Sequence, residues 1–391
     1  MISKAFAQAT LGLFFVGACT TADAGRTTTS SGGNVEQQPL ASPVATTPPN
    51  DSAIRARPIV RALYANRHAV QSAKKMRHLI GIADSTEINA IVLDMKDEFG
   101  LNFRTTNKEW AKNTGNHGVA PNLKALLDTM KAHDLLPIAR IVVFNDSVTA
   151  RVHPEWNIRS ADGGIWRSKT GAAWVNPYKR EAWDYNIGIA EELVKLGFGE
   201  IQFDYIRFPE PYKSLGPQVF PDAKGVSKPE NLAAFLKEAK TRLNALGVRS
   251  TADIFGLVTS VKGPLEIGQW WEKLAPVTDV LLPMTYPSHY PPGSFGIPRP
   301  NAEPYKVIRT AIDTARVRNE RLGITAEEHV RPWIQAFTLG KPPYGPEQIK
   351  QQKQAIYDAG YDGWILWSAG SKFDPFIPAL EKELVSRKKK N

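Results

Sequence analysis

Between residues 59 and 368 the chain alternates short apolar runs with longer stretches of helical periodicity. The apolar runs are IVRALYA (59–65), AIVLDM (90–95), PIARIVVF (137–144), EIQFDYIRF (200–208), STADIFG (250–256), DVLLPMTY (279–286), PWIQAF (332–337) and GWILWS (363–368). They are nearly continuous rather than alternating apolar with polar, the pattern of parallel strands covered on both faces. Helical patterns fill 68–83, 121–133, 178–196, 228–246, 265–274, 303–320, 346–359 and 375–387. Eight strands, each followed by a helix, predict an α/β fold of a single (β/α)8 TIM barrel. The rival is a doubly wound open sheet, whose nucleotide fingerprint is a glycine-rich turn after the first strand. The chain reads YANRHAV there.

The connections agree with a barrel. Helix-to-strand joins are short and carry glycine, as in KLGFGE, ALGVRS and DAGYDG, where glycine suits a helix C-cap. Strand-to-helix joins are long: 96–120, 145–177, 209–227 and 287–302. Long loops on one face mark the functional end of such a barrel. These loops hold Trp110, Trp156, Trp166, Trp174, Tyr212, His289 and Tyr290. Aromatic rings in polar loops are expected to be exposed for ligand contact.

Three aspartates interrupt the apolar runs: Asp94 in the second strand, Asp204 in the fourth and Asp253 in the fifth. A buried carboxylate costs several kcal/mol unless paired or hydrogen-bonded, so each needs a reason. A structural ion pair is one, for Asp204 with Arg207 or with Arg140 of the third strand. Chemistry is the other. Glycoside hydrolysis needs two carboxyl groups across one bond, one to protonate the leaving oxygen and one to attack the sugar or activate water. Asp204 is the expected nucleophile or stabilising carboxylate and Asp253 the expected acid/base, with Asp94 auxiliary. Asp97, Glu98, Glu210 and Asp146 are rivals for the acid role. Arg140, Arg207 and Arg61 could orient carboxylates or bind an anionic substituent. Tyr64, Tyr286, Gln335, Trp364 and Trp367 lie on strands, and flat rings match the C–H faces of sugars. The expected substrate-binding set is Asp94, Tyr64, Arg140, Trp166, Trp174, Arg207, Tyr286, His289, Gln335 and Trp367.

FDYIRFP after GFGEIQ, with VLDMKD upstream and TADIFG, LLPMTYPSHY and GWILWSAG downstream, resembles a family of bacterial glycoside hydrolase barrels. That family is distantly similar to α-amylase and melibiase barrels. The resemblance covers about residues 58–375. It implies a strand-4 aspartate nucleophile and a strand-5 carboxylate acid/base, matched by position to Asp204 and Asp253. Two departures stand out. The strand-5 acid is aspartate rather than glutamate, and Gln202 occupies the place of an arginine two residues before the nucleophile.

Residues 1–18 have a basic start and an apolar run too short for a permanent membrane span. Val16-Gly17-Ala18-Cys19 resembles the bacterial lipobox, whose cysteine is acylated. The expectation is an exported lipoprotein, anchored at Cys19 and sorted to the outer membrane or periplasmic face. A plain secretory signal cut after Ala24 is the alternative. Residues 19–57 are rich in Ser, Thr and Pro and read as a disordered tether, leaving 58–391 for the barrel.

Cys19 is the single cysteine, so an intramolecular disulfide or thiolate zinc cluster is excluded. The net charge is +10, from 49 Lys and Arg against 39 Asp and Glu. It invites an anionic partner, but the bases are interleaved with acids on helical faces and no nucleic-acid motif accompanies them. The expected partner is a polysaccharide or oligosaccharide, with membrane contact through the anchor, no cofactor and no nucleic acid. A catalytically inactive glycan-binding barrel is one competing reading. A metal-dependent deacetylase is another, but the seven histidines form no ligand-spaced pair.

Overall fold

The structure, a computed structural model, describes residues 59–382. Cys19 and the stretches expected to be a leader and a tether lie outside the described residues, as do positions 383–391.

The strands are β1 (Arg61–Ala65), β2 (Ala90–Asp97), β3 (Leu136–Val142), β4 (Glu200–Asp204), β5 (Arg249–Phe255), β6 (Val280–Met284), β7 (Trp333–Gln335) and β8 (Trp364–Trp367). Each pairs in parallel with the next, and β8 returns to β1 through Arg61 opposite Trp364. The sheet is therefore a closed (β/α)8 barrel, as the apolar runs predict. A two-residue antiparallel stub, Gly100–Leu101, folds back on the end of β2.

Side chains along each strand alternate between the barrel interior and the helices. On β4, Phe203 faces out and its ring lies 5.4 Å from Phe235. Gln202 and Asp204 therefore face inward. The outer layer comprises α1 (Ala73–Asp84), α2 (Leu123–Ala132), α3 (Arg180–Leu196), α4 (Lys228–Asn244), α5 (Trp271–Leu274), α6 (Pro304–Arg321) and α7 (Pro346–Asp358). Their starts follow familiar chemistry. Ser227 and Glu230 form a reciprocal capping box at α4, with Pro229 in its first turn.

Four predicted elements differ. The helix expected at 68–83 is two, Arg67–Val70 and Ala73–Asp84, because the Ser72 side chain caps the second by accepting the Lys75 N–H. The helix expected at 265–274 is a single turn, α5, followed by a 3-10 turn at Ala275–Val277. Pro264 and Gly268, the latter at φ +89°, prevent a longer helix. The stretch 375–387 is a 3-10 segment, Asp374–Ala379, as far as it is described; Pro375 and Pro378 cannot donate helical hydrogen bonds. The run 200–208 leaves the sheet at Asp204, because Tyr205 turns to φ +53°.

The N-terminal end of the barrel is closed by buried ion pairs. Glu200 accepts from Arg331 at 2.6 Å and pairs with Arg249 at 3.0 Å. Glu87 pairs with Arg61 and Lys353. Burial pushes the Glu200 carboxyl up, but Arg331 and Arg249 outweigh it and hold it below its usual range. The long loops lie at the opposite end.

Candidate active site

Strand register places Asp94, Arg140 and Gln202 side by side on β2, β3 and β4. Two residues further along, Asp204 and Asp253 face the same interior. Arg140 is the hub. Its Nη1 donates to Asp94 Oδ1 at 2.5 Å, and its Nη2 and Nε donate to Asp204 Oδ2 at 2.5 and 2.9 Å. Nε also lies 3.9 Å from Asp253 Oδ2. One guanidinium thus serves three carboxyl groups, each less than a tenth exposed.

Each carboxyl has further donors. Asp94 Oδ2 accepts from the Tyr64 hydroxyl. Asp204 Oδ1 accepts the Tyr205 backbone N–H at 2.5 Å. That N–H belongs to a tyrosine held in the left-handed region, a conformation costing roughly 1–3 kcal/mol for a non-glycine residue. Asp253 is the deepest, at 1% exposure. Gln202 Nε2 donates to its two oxygens at 3.0 and 2.9 Å, and the Trp333 indole N–H donates to Oδ1 at 2.6 Å. Gln202 Oε1 is left buried without a partner, so the amide is oriented by Asp253 at the expense of its own oxygen.

Burial, reinforced by the neighbouring Asp204 charge, pushes the Asp253 carboxyl well above the usual range despite Arg140. Burial also raises Asp94, with Arg140 opposing. Burial would lower the Arg140 guanidinium, but Asp94 and Asp204 override it and hold the charge firmly. Glu98, on the turn after β2, is raised by burial and then by Asp97. Burial pushes the Tyr205 phenol up to about 12.

An aromatic wall stands on the β7–β8 side. Trp367 stacks on Tyr64 at 6.3 Å and lies 5.4 Å from Tyr286 and 5.1 Å from Phe337. His289 meets Tyr286 edge-on at 5.3 Å, and burial lowers the pKa of its imidazole.

The structure therefore gathers Asp94, Asp204, Asp253, Arg140, Tyr64, Tyr286, His289 and Trp367. Other expected residues sit differently. Trp166 and Trp174 are 2% and 3% exposed, not open rings. The Trp166 indole donates to the Gly216 carbonyl at 3.4 Å, tying two loops together. Trp174 covers the Arg207 guanidinium at 4.9 Å, which also lies 5.0 and 4.9 Å from the Tyr205 and Phe255 rings and pairs with Glu210 at 3.2 Å. Trp166 and Trp174 are buried because the loops pack on one another. Gln335 is a brace: fully buried, it accepts the Ser288 N–H and donates to the Phe337 carbonyl.

Among the rival acids, Asp97 is held by Arg67 at 2.8 Å, Asp146 by Lys96 at 2.7 Å and Glu210 by Arg207. Glu98 forms no ion pair among the described residues. Trp333 and Tyr205 were not expected at the site. A strand tryptophan reads as packing, and nothing in its spacing tells where its N–H points. Gln202 did carry a signal, as the residue standing where an arginine was anticipated. The guanidinium comes instead from Arg140 on the adjacent strand. Among the described residues no three His, Cys, Asp or Glu side chains are arranged to hold a metal ion.

Fold and site define a (β/α)8 barrel with an acidic centre at the C-terminal ends of its strands. A family model described as "Putative glycosyl hydrolase domain" matches residues 62–373, and the chain belongs to this family. Its enzymatic class is that of a glycoside hydrolase. Among solved structures, a hypothetical protein from Ruminiclostridium thermocellum is 35% identical over 49% of this chain and 96% of its own, with a TM-score of 0.44. The PgaB (BpsB) glycoside hydrolase domain from Bordetella bronchiseptica is 15% identical over 84% of this chain and 99% of its own, with a TM-score of 0.61. The GH20 exo-β-N-acetylglucosaminidase from Vibrio harveyi is 13% identical over 85% of this chain and 55% of its own, with a TM-score of 0.53. These last two are similar to this chain in fold. No curated protein matches it.

Proposed function

We propose that the protein cleaves glycosidic bonds of an extracellular or cell-envelope polysaccharide by a two-carboxylate mechanism, after export and acylation at Cys19. The observation that carries the catalytic reading is the sharing of Arg140 by three buried carboxyl groups. One positive charge cannot neutralise three negative ones in a site of low polarity, so a proton is retained among them. Asp253 is the group that keeps it, being the most buried and the nearest to Asp204 in its electrostatics. Its Oδ1 accepts from both Trp333 and Gln202, whereas Oδ2 accepts from Gln202 alone and is the oxygen with room for the proton. Asp204 is more exposed, at 7%, and its oxygens are fixed by Arg140 and the Tyr205 N–H. It acts as nucleophile or as the carboxylate stabilising the oxocarbenium-like transition state. Asp94 and Tyr64 orient Arg140. The wall of Tyr286, Trp367 and Phe337 offers flat faces to the sugar rings.

A second assignment gives the acid role to Glu98. It is favoured by the near-complete burial of Asp253, by the raised pKa of the Glu98 carboxyl and by its lack of an ion-pair partner. Purified wild type, Asp204→Asn, Asp253→Asn and Glu98→Gln, assayed on a panel of envelope polysaccharides, separate these readings. Loss of the basic limb of the pH–rate profile identifies the acid. No hydrolysis of any glycan by wild type overturns the enzyme. Release of the chain from membranes by Cys19→Ser tests the anchor.

A further inference from the structure

The loop between β3 and α3 holds a groove that the proposed chemistry does not use. It begins with a helical turn, Ser147–Val152, capped by Asp146, which accepts the Val148 and Thr149 N–H groups. A hairpin follows, in which Arg159 bridges Ile165 and Arg167 bridges Ala173. The Val175 N–H donates to the Phe144 carbonyl at 3.0 Å and fixes the hairpin to the end of β3. Helical turn and hairpin enclose a cavity of about 420 Å³. Ala150, Ile165 and Ala173 give it an apolar lining, and Arg151 and Arg167 line it from the helical turn and the hairpin respectively.

The two guanidinium groups are what make this groove specific. Among the described residues neither forms an ion pair with a carboxylate. Arg167 donates only to the Gly171 carbonyl, at 3.0 Å. Most other arginines of the barrel are paired, including those at both of its ends. One buried ring links the lining of the groove to the acidic centre. Ala173 is followed by Trp174, whose ring covers Arg207 and lies 5.8 Å from that of Tyr205, the residue after Asp204. A ring-sized apolar lining with two unpaired forks suits a sugar bearing an oxyanion, because the planar guanidinium binds carboxylate or sulfate through paired hydrogen bonds.

We infer that this groove binds an anionic sugar, carrying carboxylate or sulfate, of the same glycan whose bond is cleaved at Asp204. The inference rests on the hydrolase reading for its substrate, and the test separates the two. The full chain carrying Asp204→Asn is titrated by calorimetry, at low and at physiological salt, with alginate oligosaccharides, their carboxyl-reduced counterparts, and sulfated carrageenan oligosaccharides. The expected result is at least tenfold tighter binding of a charged series than of the carboxyl-reduced one, weakened by salt. The charged arms tell carboxylate from sulfate. Arg151→Ala with Arg167→Ala removes that preference, and the double lysine variant retains part of it. Both positions are exposed, so the variants are expected to fold. Equal affinity for charged and reduced series, binding unchanged in the double alanine variant, no binding of any anionic oligosaccharide, or tighter binding of single-stranded RNA each overturns the inference. Charge-dependent binding without turnover by wild type would sink the hydrolase reading and leave the groove standing. Turnover with charge-independent binding would do the reverse.

Discussion

The two ends of this barrel bury charge in opposite ways. At the N-terminal end two buried carboxylates have two cations each: Glu200 with Arg331 and Arg249, Glu87 with Arg61 and Lys353. At the C-terminal end one cation, Arg140, serves Asp94, Asp204 and Asp253. The first arrangement surrounds each of these two carboxylates with positive charge and ties the strand ends together. The second leaves three carboxyl groups around a single cation. The strand that carries Glu200 at its start carries Asp204 at its end, so the contrast spans five residues of β4. Local composition therefore does not separate the structural carboxylate from the proposed catalytic one; the ratio of partners does.

The contrast can be broken by substitution. The largest effect is expected from Asp204→Asn, which should lower kcat by at least about 100-fold while leaving the melting temperature unchanged or raised, since it relieves carboxylate crowding. A fall in stability instead would make Asp204 a structural ion-pair partner. Glu200→Gln should do the opposite. It strands Arg331 and Arg249 in the interior and should cost about 3–5 kcal/mol in denaturant unfolding, with kcat per folded molecule preserved.

The pH dependence sharpens the same contrast. Asp253 is raised above its ordinary 3.8, so the folded chain holds a proton that the unfolded chain releases. Its contribution to stability falls as the pH rises from that value through the folded pKa. Glu200 is lowered below its ordinary 4.5, so its contribution is complete above that value and is lost as the pH falls through the folded pKa. In melting temperature against pH, Asp253→Asn should flatten the limb that falls as the pH rises above 3.8, and Glu200→Gln the limb that falls as the pH drops below 4.5. Both acting on one side would contradict the contrast. The smallest effect serves as the reference: Lys124→Ala removes an exposed helical pair with Asp128 and should shift unfolding by less than about 0.5 kcal/mol.

Much of the site could be read along the chain. Asp94, Asp204 and Asp253 were visible because a carboxylate inside an apolar strand run demands compensation, and Arg140 was named as a partner for Asp204. The loop tryptophans misled because the loops bury one another: a polar neighbourhood in sequence need not be polar in space. Gln335 misled because its strand-end position suits a ligand contact equally well as a brace between two loops. Trp333 and Tyr205 gave no warning, since one acts through the direction of an indole N–H and the other through a backbone torsion.

The chain by itself determined the count and order of the strands and the places of most helices, the end of the barrel that carries the long loops, and the residues that could hold charge inside. These follow from periodicity, glycine placement and the cost of burying a carboxylate, all of which act over a few residues. Tertiary structure alone decided that one guanidinium serves three carboxyl groups, that Asp253 lies deepest, and that Arg151 and Arg167 line one groove. Those outcomes depend on closure of the sheet and on the packing of loops distant in sequence, where angstrom-scale separations set which charges are shared and which protons are kept.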